Sequence, residues 1–167
     1  MKHLKSLLFA TALFLGATSF MSAQSKVAHI NTQELIKAMP EYKAAQTEVE
    51  QAGKTYEAEI AASMKELEAK LKQYDAEAPN QTQAVNTERM QEVEGIKQGI
   101  AQYQQDAQQN MSKLEYDKLQ PITKKAREAI QKVARAQGFE YVLDASTLIM
   151  ADGKDLMADV KKELGIQ

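Results

Sequence analysis

The residues that could do chemistry in this chain are few and scattered. Beyond the first 23 residues the sequence holds one histidine, His29, and it has no cysteine anywhere. A zinc centre would need His29 beside three carboxylates, a poor donor set for that ion. Thiolate and disulfide chemistry are excluded outright. His29 lies in an alternating apolar segment and reads as a structural strand residue. Ser25, Ser63, Ser112 and Ser146 have no nearby base to activate them. Asp144, Asp152, Asp155 and Asp159 resemble an acidic cluster, but their spacing does not fit a Ca²⁺ loop. Asp152 and Asp155 fit the start of a helix better. No glycine-rich phosphate loop is present, and the paired carboxylates elsewhere sit among lysines as ordinary surface charge. These residues point to no enzyme, metal or cofactor, so function must lie in shape and surface.

The shape comes from the elements. Val27–Asn31 reads as a short strand, with Asn31 and Glu34 as a capping box for a brief helix over Thr32–Met39. Pro40 suits the first turn of the next helix. That helix spans Glu41–Tyr74, with larger side chains at Val49, Ala52, Tyr56, Ile60, Met64, Leu67, Leu71 and Tyr74. The steps of three and four make a heptad-like stripe. Residues 75–83 form the turn, punctuated by Pro79-Asn80. A second helix from Ala84 to Gln137 repeats the spacing through Met90, Val93, Ile96, Ile100, Tyr103, Ala107, Met111 and Leu114. Gly95 and Gly99 soften it, and Pro121 is expected to kink it. The first helix is about 34 residues, or about 51 Å, and the second as far as Leu119 is about 36, or about 54 Å. Matched arms place the hinge at Pro121, with Ile122–Gln137 belonging to a body. Gly138 ends the helix. Phe139–Ala145 and Thr147–Met150 read as two further strands, and a last helix begins at Asp155 with Leu156, Val160 and Leu164 on one face. The fold class is mainly α with a small β body: residues 24–40 and 121–167 form the body and 41–120 a long antiparallel helical hairpin, a coiled-coil arm.

The hairpin has too few large apolar residues to be a globular core, so its length must serve reach, association or the gripping of another chain. Its outward face is polar and rich in glutamine, a good helix former. Methionine and tyrosine within the stripe are large and adaptable, as on surfaces that accept many partners. Three short strands are too few to close a core alone, which predicts association of copies.

The first 23 residues resemble a cleaved secretory leader: Lys2, His3 and Lys5, an apolar run from Leu7 to Ala17, then small residues ending Ser22-Ala23. Cleavage after Ser19 is the competing site. The apolar run is short for a membrane span, and no later stretch is long enough. Loss of residues 1–23 removes Lys2 and Lys5 and no acid, so 21 basic residues become 19 against 23 acidic ones, a net charge of −4. A general nucleic-acid binder would need clustered positive charge instead.

Two end segments carry a resemblance. Lys26-Val-Ala-His-Ile-Asn-Thr-Gln-Glu-Leu-Ile-Lys-Ala-Met-Pro-Glu-Tyr42 and Ala134-Arg-Ala-Gln-Gly-Phe-Glu-Tyr-Val-Leu-Asp144 are similar to the two ends of the OmpH/Skp family of periplasmic chaperones. The resemblance covers the whole chain after the leader. It implies a jellyfish-like homotrimer in which body strands from three copies form an intersubunit β-barrel. Three arms then enclose a cavity that holds unfolded outer-membrane proteins in the periplasm without ATP. Within that picture Ile30, Val142 and Leu143 are expected at trimer contacts, Pro121 at the hinge, and Met64, Leu67, Leu71, Val93 and Ile96 against the client. The sequence departs from the family's basic pattern at the arm tip. Between Lys65 and Lys97 it has Lys65, Lys70, Lys72, Arg89 and Lys97 against Glu66, Glu68, Asp75, Glu77, Glu88, Glu92 and Glu94, a net −2. No site for anionic lipid or lipopolysaccharide is therefore carried over. A coiled-coil spacer or adaptor of the cell envelope, with one folded partner, is the alternative.

Overall fold

The computed structural model describes residues 26–166, so the expected leader lies outside the described residues. The chain runs β1 (Val27–Ile30), α1 (Thr32–Ala38), α2 (Pro40–Glu77), α3 (Gln83–Ala136), β2 (Tyr141–Asp144), β3 (Lys154–Asp155) and α4 (Met157–Leu164). Asn31 Oδ1 accepts from the Glu34 N–H at 3.1 Å, the capping half of the expected box. Pro40 opens α2, where its missing N–H leaves nothing unpaired.

The 38 residues of α2 make a rod of about 57 Å. It returns as α3 through one 3₁₀ turn, Ala78–Asn80, and a Thr82 cap whose Oγ1 accepts from the Val85 N–H at 3.3 Å. The turn is tighter than the nine residues expected, because α2 continues three residues past Tyr74. The side-chain amide of Asn86 donates to Ala78 O at 3.0 Å and closes it. α3 is 54 residues long and runs unbroken through Pro121, so the expected hinge is not an interruption of the helix. Pro121 is exposed, so the hydrogen bond it removes lies on the outer side. Gly138 then turns the chain at φ 77°, and the Phe139 N–H reaches back to Ala134 O at 2.9 Å.

Three strands form one sheet in the order β2-β1-β3, and both pairings are parallel. The connection between β1 and β2 is the entire hairpin. One face of the sheet, with Ala28 and Ile30, lies on α1, the end of α3 and α4. Leu35, Met39, Ile122, Ala126, Ile130, Val133, Leu156 and Val160 complete that core.

The second half of the body departs from expectation. Thr147–Met150 is not a strand. Asp144 Oδ1 accepts from the Ser146 N–H at 3.0 Å, and the Thr147 hydroxyl donates to Asp144 O at 2.9 Å. These local bonds wind Ala145–Thr147 into a 3₁₀ turn and outcompete an extended chain. Leu148–Met150 follows as irregular backbone, with Ile149 fully exposed. The third strand forms later, at Lys154–Asp155. Asp155 therefore belongs to a strand, and α4 starts two residues beyond it. Its Oδ1 still accepts from the Met157 N–H at 2.8 Å, so it orders the start of the helix from outside.

Candidate functional site: the open arm and the uncovered side of the body

An antiparallel pair of helices has one seam, and here small residues set its spacing. Ala45, Val93 and Ala107 are buried along it. A Cβ on Gly53 would lie 3.6 Å from the Met111 side chain, ordinary contact, so glycine brings α3 close without being indispensable. Tyr56 and Tyr103 meet with ring centres 5.8 Å apart, tilted at 57°. The Tyr103 hydroxyl donates to Glu59, and that hydrogen bond, reinforced by burial and then by the carboxylate charge, pushes the phenol up to about 12. Ion pairs cross the seam at Lys125–Glu41, Lys118–Glu48, Lys70–Glu92 and Arg89–Glu77. Their groups stay partly in solvent, where each such pair is worth about 0–1 kcal/mol.

Near the tip these pairs gather around Tyr74. Its hydroxyl donates to Glu92 at 2.5 Å, and the Arg89 guanidinium lies over its ring at 4.5 Å. Arg89 Nη2 also bonds Glu77 at 2.5 Å. Its Nη1 is buried with no hydrogen-bond partner among the described residues, and the stacking of the guanidinium on the electron-rich ring face offsets part of that cost. The bond from Lys70 and then that from Tyr74 hold the Glu92 carboxyl below its ordinary range. Glu77 is lowered in the same way by Gln73 and Arg89.

The five arm residues expected to meet a client divide into three groups. Met64 and Leu71 are 54% and 41% exposed, available to a partner. Leu67 and Ile96 are half-buried. Val93 is only 7% exposed and belongs to the seam, so its side chain has little surface to offer. A helical stripe names residues that share a side, but the partner helix covers only part of that side. Met90, one turn from Val93, falls beyond the covered part and is 73% exposed. Leu71, Tyr74, Met90 and Val93 line a cleft of about 420 Å³ at the tip. Tyr116, near the root of the arm, is also exposed and was not singled out by periodicity.

The body presents a second uncovered surface. Ile30, expected at a trimer contact, is 1% exposed within a single chain, so it is a core residue that lies at the floor of the cleft beside β2. A strand side chain faces one side only, and in β1 Ala28 and Ile30 face inward. Val142 is half-buried against the same core. Leu143 is 44% exposed. The register pairs Val27 with Tyr141 and His29 with Leu143, so these four share the outer side of the sheet. Val27, Tyr141 and Leu143 are exposed there, and Ile149 and Met150 project from the loop beyond. His29 is buried, with its ring against Gly153. Among the described residues no strand lies beside the outer edge of β2. Next to that edge a cleft of about 660 Å³ is lined by Ile36, Ala126, Ile130, Phe139 and Val142. At its rim Asp144 binds the Thr32 hydroxyl. Burial opposes ionisation of Asp144, but the Thr32 and Ser146 bonds outweigh it and hold the carboxyl low.

Among the described residues no cluster of three or more histidine, aspartate or glutamate side chains could hold a metal ion. No helix of the described residues is long and apolar enough to cross a membrane.

Comparison with known proteins places this geometry. Chaperone protein Skp of Pectobacterium atrosepticum is 20% identical over 153 residues, which cover 91% of this chain and 93% of that one. The protein of the same name from Yersinia enterocolitica is 23% identical over 163 residues, covering 96% and 99%. A crystal structure of an OmpH-like protein from Caulobacter crescentus superposes with a TM-score of 0.78. It covers 85% of each chain at 18% identity, a likeness that speaks for the fold. The family described as outer membrane protein (OmpH-like) matches residues 26–164, nearly all of the described structure. The chain belongs to the OmpH-like family.

Proposed function

We propose that this protein is an ATP-independent holdase of the periplasm that keeps unfolded outer-membrane β-barrel proteins from aggregating. The observation that carries this is on the outer half of the arm, where Met64, Leu71 and Met90 remain in solvent on a helix pair too thin to enclose them. Unfolded barrel strands alternate apolar and polar residues and associate readily in water. Scattered, adaptable apolar contacts shield such strands without selecting one sequence. A protein that binds only the unfolded state shifts the aggregation equilibrium by mass action and needs no nucleotide. Family membership and the chaperone names of the relatives support the same function.

Three copies acting together give the arms something to enclose. The open edge of β2, the exposed Tyr141 and Leu143 and the adjoining cleft are the surface by which the copies associate. Residues 1–23 act as the export leader and are removed. The test uses the chain without its leader, measuring its mass by light scattering and the turbidity of a diluted, urea-unfolded barrel protein. Expected are a trimer and suppression of turbidity at near-stoichiometric amounts. A stable monomer, or aggregation unchanged by the protein, contradicts the proposal.

A further inference from the structure

The charges of the arm tip are not all available to a partner. Of the five basic residues from Lys65 to Lys97, three are tied within the arm, as Lys70–Glu92, Lys72–Glu68 and Arg89–Glu77. Arg89 is further turned inward onto Tyr74. What remains unpaired among the described residues is four acids (Glu66, Asp75, Glu88, Glu94) against Lys65 and Lys97. Two of those acids, Asp75 and Glu94, stand with Lys97 at the cleft formed by Leu71, Tyr74, Met90 and Val93, where Arg89 also lies but is paired with Glu77. Among the described residues Glu94 accepts a hydrogen bond from the Gln98 amide alone, at 3.3 Å. The clasp around Tyr74 thus ties up Lys70 and Arg89, and the apolar cleft keeps two unpaired acids against one unpaired cation at its rim.

We propose that this cleft takes a short extended peptide segment in which one or two large apolar side chains are flanked by lysine or arginine. The apolar side chains enter between Leu71 and Met90, and the basic flanks meet Asp75 and Glu94. The arm would then sample unfolded chains unevenly, dwelling where apolar and basic residues adjoin. The cleft rests on the chaperone function proposed above and adds a preference to it.

The test measures fluorescence anisotropy of two labelled twelve-residue peptides with the full leaderless protein. Both carry the same Leu-Phe centre, one with two flanking lysines and the other with two flanking glutamates. At low ionic strength the lysine peptide is expected to bind about tenfold more tightly, since each exposed pair contributes a few-fold. Salt at about 0.5 M should shrink the difference. Asp75→Lys with Glu94→Lys should reverse the preference, and Met90→Ser should weaken both peptides, with circular dichroism and mass unchanged. Equal affinities, tighter binding of the glutamate peptide, no binding of either, or a preference that survives the double reversal each overturn the proposal. Barrel-protein protection measured on the same sample separates the two ideas: protection without the peptide preference removes only the tip site, while loss of both removes the chaperone function as well.

Discussion

The two ends of α3 are built from similar residues yet behave as different materials. Six of its eight buried residues, Ile122, Ala126, Ala129, Ile130, Val133 and Ala134, lie beyond Pro121, and only Val93 and Ala107 lie before it. Beyond Pro121 the helix is covered by β1, α1 and α4, so Ile122, Ile130 and Val133 are enclosed and each worth about 1.5–3 kcal/mol, the alanines less. Before Pro121 it has one neighbour, α2, and the same periodicity leaves Ile96, Ile100, Tyr103, Met111 and Leu114 only half-buried and Met90 exposed. The arm makes up part of this deficit with ion pairs across the seam, which are weak and easily remade. Burial depends on how many elements surround a helix, not on its sequence pattern alone. A thin arm on a dense body keeps shape at one end and adaptable surface at the other.

The sharpest way to break this comparison is at the sheet. Leu143→Asp places a charge on a side chain that is exposed in one chain and buried only if copies associate there. Assembly should be lost, at a cost of several kcal/mol per copy, while helicity persists. A trimer with unchanged melting would move the interface elsewhere. Next, Leu156→Ala in the enclosed body core should destabilise by about 2–5 kcal/mol in urea denaturation. Leu71→Ala, on the open arm, should cost about 0.5–1 kcal/mol, and equal costs would erase the contrast between the two regions. Hydrogen exchange extends this to the backbone, with residues 67–93 exchanging faster than residues 122–133.

Acid should produce the smallest effect. Glu41, Glu77 and Glu92 are held below the ordinary carboxylate range, Glu41 chiefly by the bond from Lys125. A lowered folded value means that stabilisation is present above the unfolded value of about 4.3 and is lost as pH falls through the folded one. Exchange at residues 67–93 should therefore quicken below about pH 4 relative to the body. Asp144 and Asp159 in the body are lowered too, but an enclosed apolar core remains when they protonate.

Much of this architecture is legible in the sequence because helices are specified locally. The Asn31 cap, Pro40, the tip turn and Gly138 each act within a few residues, and the structure places them where those rules do. Strands are specified by partners far along the chain. Thr147–Met150 has strand-forming side chains, yet the bonds made by Asp144 turn the chain before any edge is reached. The parallel order β2-β1-β3 has no local signature at all. Ile30 and Val93 show the same limit at single residues. Alternation or heptad spacing gives their side, but whether that side is enclosed depends on neighbouring elements. Met90 lies one helical turn from Val93, yet it is largely exposed where Val93 is buried.

The division of labour between arm and body is tested most directly by shortening the arm. Deleting residues 60–73 and 89–102 removes two heptads from each helix, keeps Tyr74 and the tip turn, and leaves every body residue in place. Light scattering and the barrel-protein turbidity assay would then be run on the same sample. The expected result is a normally assembled trimer that no longer protects an unfolded barrel protein from aggregation. Full protection by the shortened trimer would place the client on the body and contradict the role assigned to the arm.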